Sequence, residues 1–185
     1  EEDIPVLLSV GKDNVYIWEK GETRLHENEA AEILREMCQG EYMHPTPVKE
    51  GKIELVADID GLLKVDSDKM KKINGMGELM IASRHGNFAV EKGDKLAGTR
   101  IIPLVIEREK MEQAKAVCEG EPILELKPFV HKKVGIVTTG NEVYYHRIED
   151  TFTPVIKEKL AEYDTEVIGQ EICNDDHEKI TKAIL

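Results

Sequence analysis

The sequence predicts a mixed α+β region that is rich in β-strands, followed by a parallel-sheet α/β region. The first is indicated by short β-type tracts such as KIELVA, LLKV and LMIAS, which turn residues separate. The second is indicated by the order strand, helix, strand, helix after residue 133, which is typical of an α/β layer. We place the boundary between Glu121 and Lys132 and expect domains at 1–127 and 128–185. The second holds too few residues for a doubly wound domain, so we expect it to be incomplete.

The N-terminal elements begin with a short apolar stretch over Ile4–Val10. A β-branched and aromatic tract over Asn14–Glu19 then predicts a strand. Apolar residues recur at helical spacing between Glu27 and Gln39, and Gly40 follows where a helix would stop, which predicts an amphipathic helix. Two prolines within residues 41–51 predict an extended connection.

The middle of the chain alternates between β-type and helical patterns. They predict strands over 52–57, 62–65, 79–83 and 96–107, and helices over 68–74 and 108–118. Ser67 is placed to cap the first of these helices. Pro103 cannot donate to a ladder, so we expect the strand that contains it to be an edge or bulged strand.

The C-terminal elements carry the α/β pattern. Val134–Val137 suits a buried parallel strand, and Thr153–Tyr163 suits a helix with a proline in its first turn. We predict a second strand over 166–172 and a final helix over 175–185.

Composition and charge limit the classes of function. The chain has 185 residues, 41% of them hydrophobic and 34% charged, and a formal net charge of −12, which disfavours attraction to nucleic acid or to an anionic membrane. Three widely spaced cysteines offer neither a disulfide framework nor a CxxC metal site. No apolar run approaches the roughly 18 residues of a membrane span, and no secretory signal is present, so we expect a cytoplasmic protein. The chain starts without methionine and stops in a helical pattern, from which we expect a fragment of a longer protein.

The most informative stretch is TTGNE, which directly follows the predicted strand at Val134–Val137. Ligands of open α/β sheets bind beyond the carboxyl ends of the strands. Gly140 permits a tight turn or a close approach of a ligand, Thr138 and Thr139 offer hydroxyl groups, and the carboxylate of Glu142 can accept a proton or hold a cation. Such a short glycine signal is weak by itself.

Three further acids lie near predicted helix starts. Asp150 precedes the helix at Thr153, while Asp175 and Asp176 open the last helix. Helix capping alone could explain the last two, since Asp175 and Glu178 form a D-x-x-E arrangement. For Asp175 we leave capping and a role in the site open, whereas we expect capping or solvation for Asp176.

A family resemblance covers essentially the whole chain. VGIVTTGNEV, RIEDTFTPVIKEKL and EVIGQEICNDDHEKI resemble the first half of the molybdopterin-binding domain of molybdenum-cofactor biosynthesis proteins. EEDIPVLL, LHENEAAEI, EGKIELVADIDGLLKVD and LAGTRIIPLVI resemble a MoeA-type subgroup. The resemblance implies binding of molybdopterin at or near the insertion of molybdate into adenylylated molybdopterin, with magnesium and molybdate as candidate co-ligands.

The resemblance also implies roles for individual residues. It assigns catalysis to Glu142 and Asp175, and cofactor binding to a second set: Thr138, Thr139, Gly140, Asn141 and Asp150. Phe152 stands where the family has asparagine, and the family's glycine-rich phosphate loop would follow Leu185, so we expect these 185 residues alone to bind molybdopterin weakly or not at all.

The alternatives concern what the protein does with the pterin. It either takes part in metal insertion, as a molybdopterin molybdotransferase, or is a non-catalytic module that stores, delivers or senses the cofactor. A homodimer and other cofactor-biosynthesis proteins are candidate partners besides the small-molecule pterin.

We predict no structural metal, because position 30 is alanine and HExxH fails, and the remaining histidines lack ligand spacing. Arg84, His85 and Arg100 are the basic groups of the first region most able to meet an anion, although surface ion pairing in so acidic a chain explains them better.

Overall fold

The computed structural model of the protein describes residues 3–12, 14, 21 and 23–185. The predicted strand over Asn14–Glu19 lies outside the described residues except for Asn14. The apolar stretch before it forms a short helix, α1 (Ile4–Ser9), none of whose residues is buried. No helix among the described residues is long and apolar enough to cross a membrane.

The chain divides into two compact units. The first unit comprises Glu1–Asp58 and Leu63–Leu126, and the second comprises Ile59–Leu62 and Lys127–Leu185. The structure is mixed helix and strand with a parallel sheet at its C-terminal end, which confirms the predicted fold class.

The first unit holds most of the strands. Its elements are, after α1, β1 (Arg24–His26), α2 (Glu27–Cys38), β2 (Met43–Pro45), β3 (Lys52–Ala57), β4 (Gly61–Val65), α3 (Ser67–Asn74), β5 (Leu79–Ser83), β6 (Phe88–Val90), β7 (Lys95–Ile101), β8 (Val105–Glu107), α4 (Arg108–Val117) and β9 (Leu124–Pro128). The division between the units falls within β4 and β9. The sheet orders are β2-β3-β7-β5, β6-β4-β9 and β1-β8.

Helix α2 covers one face of the sheet β2-β3-β7-β5. It begins with a capping box, in which His26 Nδ1 accepts from the Asn28 N–H and Glu29 accepts from the His26 N–H at 3.0 Å. Leu34 of this helix is fully buried, as are Leu55 and Ile101 of the sheet. The helix predicted from apolar spacing is therefore confirmed, and its apolar stripe forms the core of the first unit.

Two predictions in this unit are wrong. Asp66, and not Ser67, caps α3, because Ser67 is already helical while the Asp66 carboxylate accepts from the Lys69 N–H at 3.0 Å. The long strand predicted over 96–107 is two strands, β7 and β8, with Pro103 in the connection between them. A proline has no N–H to continue the ladder, so the strand stops instead of bulging.

The second unit contains β10 (Lys132–Thr139), α5 (Asn141–Tyr144), α6 (Phe152–Ala161), β11 (Thr165–Cys173) and α7 (His177–Ile184). β10 and β11 pair in parallel from Lys132 opposite Thr165 to Thr139 opposite Cys173. The parallel pair is confirmed, but within the predicted buried run only Ile136 is buried, and Gly135 is exposed. The short helix α5 was not predicted.

Candidate functional site

The candidate site lies where β10 and β11 end. The strands are parallel and their last pair is Thr139 and Cys173, so the segments that follow both strands meet at one edge of the sheet. The Gly140 N–H donates to the Cys173 carbonyl at 3.2 Å and extends the ladder into the turn. The predicted TTGNE turn therefore lies at the carboxyl ends of a parallel pair, the end at which open α/β sheets generally bind ligands.

Gly140 has a backbone conformation that only glycine adopts readily. Its φ is +141° and its ψ is 127°. A Cβ atom at this position would lie 3.1 Å from Glu142 Oε1, because the Glu142 carboxylate folds back over the glycine. Because Gly140 has no side chain, the exposed Glu142 carboxylate can lie against the turn.

A hydrogen bond joins the segments after the two strands. Asn141 Nδ2 donates to Asp175 Oδ2 at 2.8 Å, and both side chains are exposed. Asp176, and not Asp175, caps α7, since its Oδ1 accepts from the N–H groups of Glu178 and Lys179 at 2.9 and 3.3 Å. The predicted D-x-x-E capping arrangement is therefore wrong for Asp175, which lies one residue too early to reach those donors.

The two threonines of the turn face opposite sides of β10, since side chains alternate along a strand. Thr139 is exposed, whereas Thr138 is buried with its Oγ1 3.0 Å from Thr153 Oγ1. Thr138 therefore supports the site from within, and Thr139 carries the hydroxyl that faces solvent.

Thr153 is the buried centre of a hydrogen-bond network that reaches the exposed Gln170. Its hydroxyl donates to Asp150 Oδ2 and accepts from Gln170 Nε2 at 2.8 Å. A hydroxyl has one hydrogen, so Thr138 must be the donor in the bond between the two threonines. Gln170 Nε2 also lies 2.8 Å from Asp150 Oδ2, so the amide donates to both oxygens of this pair.

Asp150 anchors the start of α6. Besides the Thr153 hydroxyl, its carboxylate accepts from the N–H groups of Thr153 and Phe152 at 3.1 and 3.0 Å. These hydrogen bonds, the Thr153 hydroxyl first, lower the pKa of Asp150 because they favour the charged form. The carboxylate remains ionised at neutral pH and is occupied by the protein itself.

Aromatic rings flank the same edge. Tyr144 and Tyr145 pack edge to face with centroids 5.1 Å apart, and Lys179 Nζ of α7 lies 5.6 Å from the Tyr144 ring centre. Phe152 is 70% exposed at the start of α6, at the position where the resembled family has an asparagine. A flat ligand could stack on such rings, although the polar contacts of an asparagine are lost.

Sequence reasoning missed three polar residues of this region, Thr153, Gln170 and Asn174. Asn174 Oδ1 is buried and has no hydrogen-bond partner among the described residues. An unpaired buried acceptor calls for a donor. Asn174 could have been found from the sequence, because it closely follows the second predicted strand of the parallel pair. Thr153 and Gln170 could be recognised only from the folded structure.

The donors and acceptors exposed at this edge are unbalanced. Glu142 and Asp175 bring exposed carboxylate oxygens and Thr139 an exposed hydroxyl, while Asn174 Oδ1 is a buried acceptor. These carboxylate oxygens are acceptors, which pair with N–H groups or with a cation. Within residues 3–12, 14, 21 and 23–185, no three or more His, Cys, Asp or Glu side chains converge as a metal site.

These residues form a polar edge at the carboxyl ends of a parallel strand pair in an α/β unit. Residues 135–185 match the family described as a probable molybdopterin binding domain. The match supports a domain of molybdenum-cofactor biosynthesis in this part of the chain, with molybdopterin as a consistent ligand. No curated protein and no solved structure matches the chain.

Proposed function

We propose that the second unit binds molybdopterin at the edge formed by the ends of β10 and β11, and that the protein acts at or near the insertion of molybdate into adenylylated molybdopterin. The observation that carries the proposal is the bond from Asn141 to Asp175, which joins both strand-end segments within the matched residues. The MoeA-like character of residues 1–127 and a cytoplasmic location belong to the same proposal.

The side chains divide into those that can meet the ligand and those that hold the turn. Thr139, Gly140 and Asn141 would bind, the first through its hydroxyl and the second through close approach of its backbone. Glu142 and Asp175 are exposed carboxylates that can accept a proton from the ligand or hold magnesium beside it. Thr138 and Asp150 act indirectly, since their hydrogen-bonding groups bind Thr153.

A second candidate function is a module that binds the pterin without inserting metal. Phe152 favours it, because a phenylalanine offers a stacking surface and neither accepts nor donates a hydrogen bond where the resembled family has an amide. Stacking supports binding, whereas ordering a metal-bearing intermediate needs polar contacts.

Titration calorimetry of molybdopterin and of its adenylylated form into the full-length protein, with and without magnesium, tests the proposal. Tighter binding of the adenylylated form in magnesium would support the insertion step. If neither form binds, the proposed function is wrong and the fold assignment is unaffected.

Two substitutions separate the candidates. Glu142→Gln should abolish molybdate insertion and leave pterin binding within a few-fold if Glu142 is catalytic, whereas unchanged insertion removes that role. Asp175→Asn should weaken binding or insertion, and Asp176→Asn is its matched control, because it removes the same charge one residue later and asparagine still caps a helix.

A further inference from the structure

One face of the sheet β2-β3-β7-β5 in the first unit is open to solvent. The residues of β3, β7 and β5 alternate, so that Ile53, Thr99 and Ile81 are buried on the side of α2 while their neighbours point away from it. On this outer face the pairing aligns two rows across the three strands. The first row is Lys52, Arg100 and Met80, and the second is Glu54, Gly98 and Ala82.

The surface over the second row is sunken, because Gly98 and Ala82 have small side chains or none. A depression of about 330 Å³ lies over Gly98 and Ala82, within the size range of small-molecule sites. A register shift in the β3–β7 pairing leaves Leu96 without a partner on β3, and Lys95 then reaches Glu54. Such a bulge commonly re-aims a side chain, and here it brings a cation to the rim of the depression.

Four cationic side chains line the depression in a chain whose net charge is −12. Two are paired with one carboxylate, since Glu54 binds Lys52 Nζ and Lys95 Nζ, each at 2.7 Å. Arg84 binds Asp94 at 2.7 Å and the Lys95 carbonyl at 2.9 Å. These contacts leave the lining with a surplus of positive charge.

The surplus is centred on Arg100. Its cross-strand neighbours are Lys52 and Met80, so neither offers a carboxylate. Arg100 Nε donates a long hydrogen bond of 3.4 Å to the Ile101 carbonyl. Lys52 lies directly opposite Arg100, and like charges placed opposite each other in a sheet are destabilising.

We propose that this face of the first unit is a binding site for a small anion, of the phosphate or carboxylate class, with Arg100 as its main ligand. The guanidinium fork can hold two oxygens of one acidic group in parallel. Lys52 and Lys95 can turn from Glu54 to the anion, and Met80, which is 45% exposed, offers an apolar wall for the body of the ligand. The site is independent of the pterin function proposed for the second unit.

The test measures amide NMR shifts of residues 82–84 and 96–100 during titration of the full-length protein with pyrophosphate and, separately, citrate. Arg100→Gln should weaken binding by about tenfold, as expected for loss of one charge-assisted contact. Gly98→Val leaves every charge in place and fills the depression. Its Cβ has ordinary contacts only, the nearest being Lys52 Cε at 3.7 Å, and valine suits a strand. Gly98→Ala is the milder version if the valine variant does not fold.

Glu54→Gln should tighten binding, because it releases both lysines from their shared carboxylate. Arg24→Gln is the matched control, since Arg24 is an exposed arginine of a different sheet that Glu107 already neutralises at 2.7 Å. We expect binding at these amides that Arg100→Gln and the filling of Gly98 weaken and Arg24→Gln does not change. A preference for pyrophosphate would identify a phosphate ligand, and a preference for citrate a carboxylate.

Two outcomes would overturn the proposal. One is the absence of shifts with either anion. The other is weakening by Arg100→Gln without any effect of the Gly98 substitutions, which would mean that the anions respond to diffuse surface charge and not to a built site.

Discussion

Asn141 and Asp175 are 34 residues apart in the chain, yet the amide of the first donates to the carboxylate of the second at 2.8 Å. The bond ties the segment after β10 to the segment after β11. It exists because parallel pairing brings the carboxyl ends of both strands to one edge. Asp175 does not cap α7, because the neighbouring Asp176 is the cap.

The first prediction concerns this bond. A double-mutant cycle with Asn141→Ala and Asp175→Ala should give a coupling energy of about 0.5–1 kcal/mol, because the pair is charged but exposed. Urea unfolding of the four proteins measures it. The control cycle pairs Asn141→Ala with Asp176→Ala. Asp176→Ala should cost about 1 kcal/mol because it removes a helix cap, and its effect should be independent of Asn141→Ala. Equal coupling in both cycles would show that the contact at Asp175 is not specific.

The second prediction concerns Gly140. Gly140→Ala should destabilise the protein by about 1–3 kcal/mol, since the backbone conformation is strained for any residue with a Cβ atom. The new methyl group would also press on the Glu142 carboxylate at 3.1 Å. Gly135→Ala in the preceding strand β10 is the control. Nothing lies within 4 Å of its added Cβ, so thermal unfolding should show no comparable loss.

The third prediction separates the two threonines. Thr138→Val should lower the free energy of unfolding by about 1 kcal/mol, because it removes the hydroxyl that donates a hydrogen bond to Thr153. Thr139→Val should change stability by no more than about 0.5 kcal/mol, since its side chain is exposed. Pterin affinity should respond in the opposite order, with the larger loss at Thr139. A larger loss of affinity at Thr138 would contradict the assignment of Thr139 as the contact.

The fourth prediction is a pH dependence. The pKa of Asp150 is lowered in the folded protein, first by the Thr153 hydroxyl, so its contribution to stability is present above its unfolded pKa of about 3.9 and is lost as pH falls through the folded value. Amide exchange of β10 and β11 measures the local stability. Wild type and Asp150→Asn should differ most at neutral pH and converge in acid. A constant difference across this range would mean that ionisation of Asp150 does not stabilise the unit.

Much of the fold follows from local patterns. The apolar stripe over Glu27–Gln39 predicted α2, and β-type tracts predicted β3, β4 and β5, because periodicity records which side of an element is buried. The parallel pair and the position of the TTGNE turn at its end followed from the order of elements. Strand burial in the second unit was predicted less well, since exposure depends on what packs against the strand and not on its composition.

The site could be located from the sequence but not assembled from it. Residue types in the TTGNE turn marked the edge, and glycine at 140 is required by the local backbone alone. Tertiary structure decided which aspartate caps α7, which threonine faces solvent, and that Gln170 and Thr153 bind Asp150. It also set Lys52 beside Arg100 through strand register. The physical reason is that a shift of one residue along the chain changes which residue caps a helix, which face of a strand a side chain occupies and which residue it pairs with. Such a shift leaves the composition and periodicity of the sequence almost unaltered.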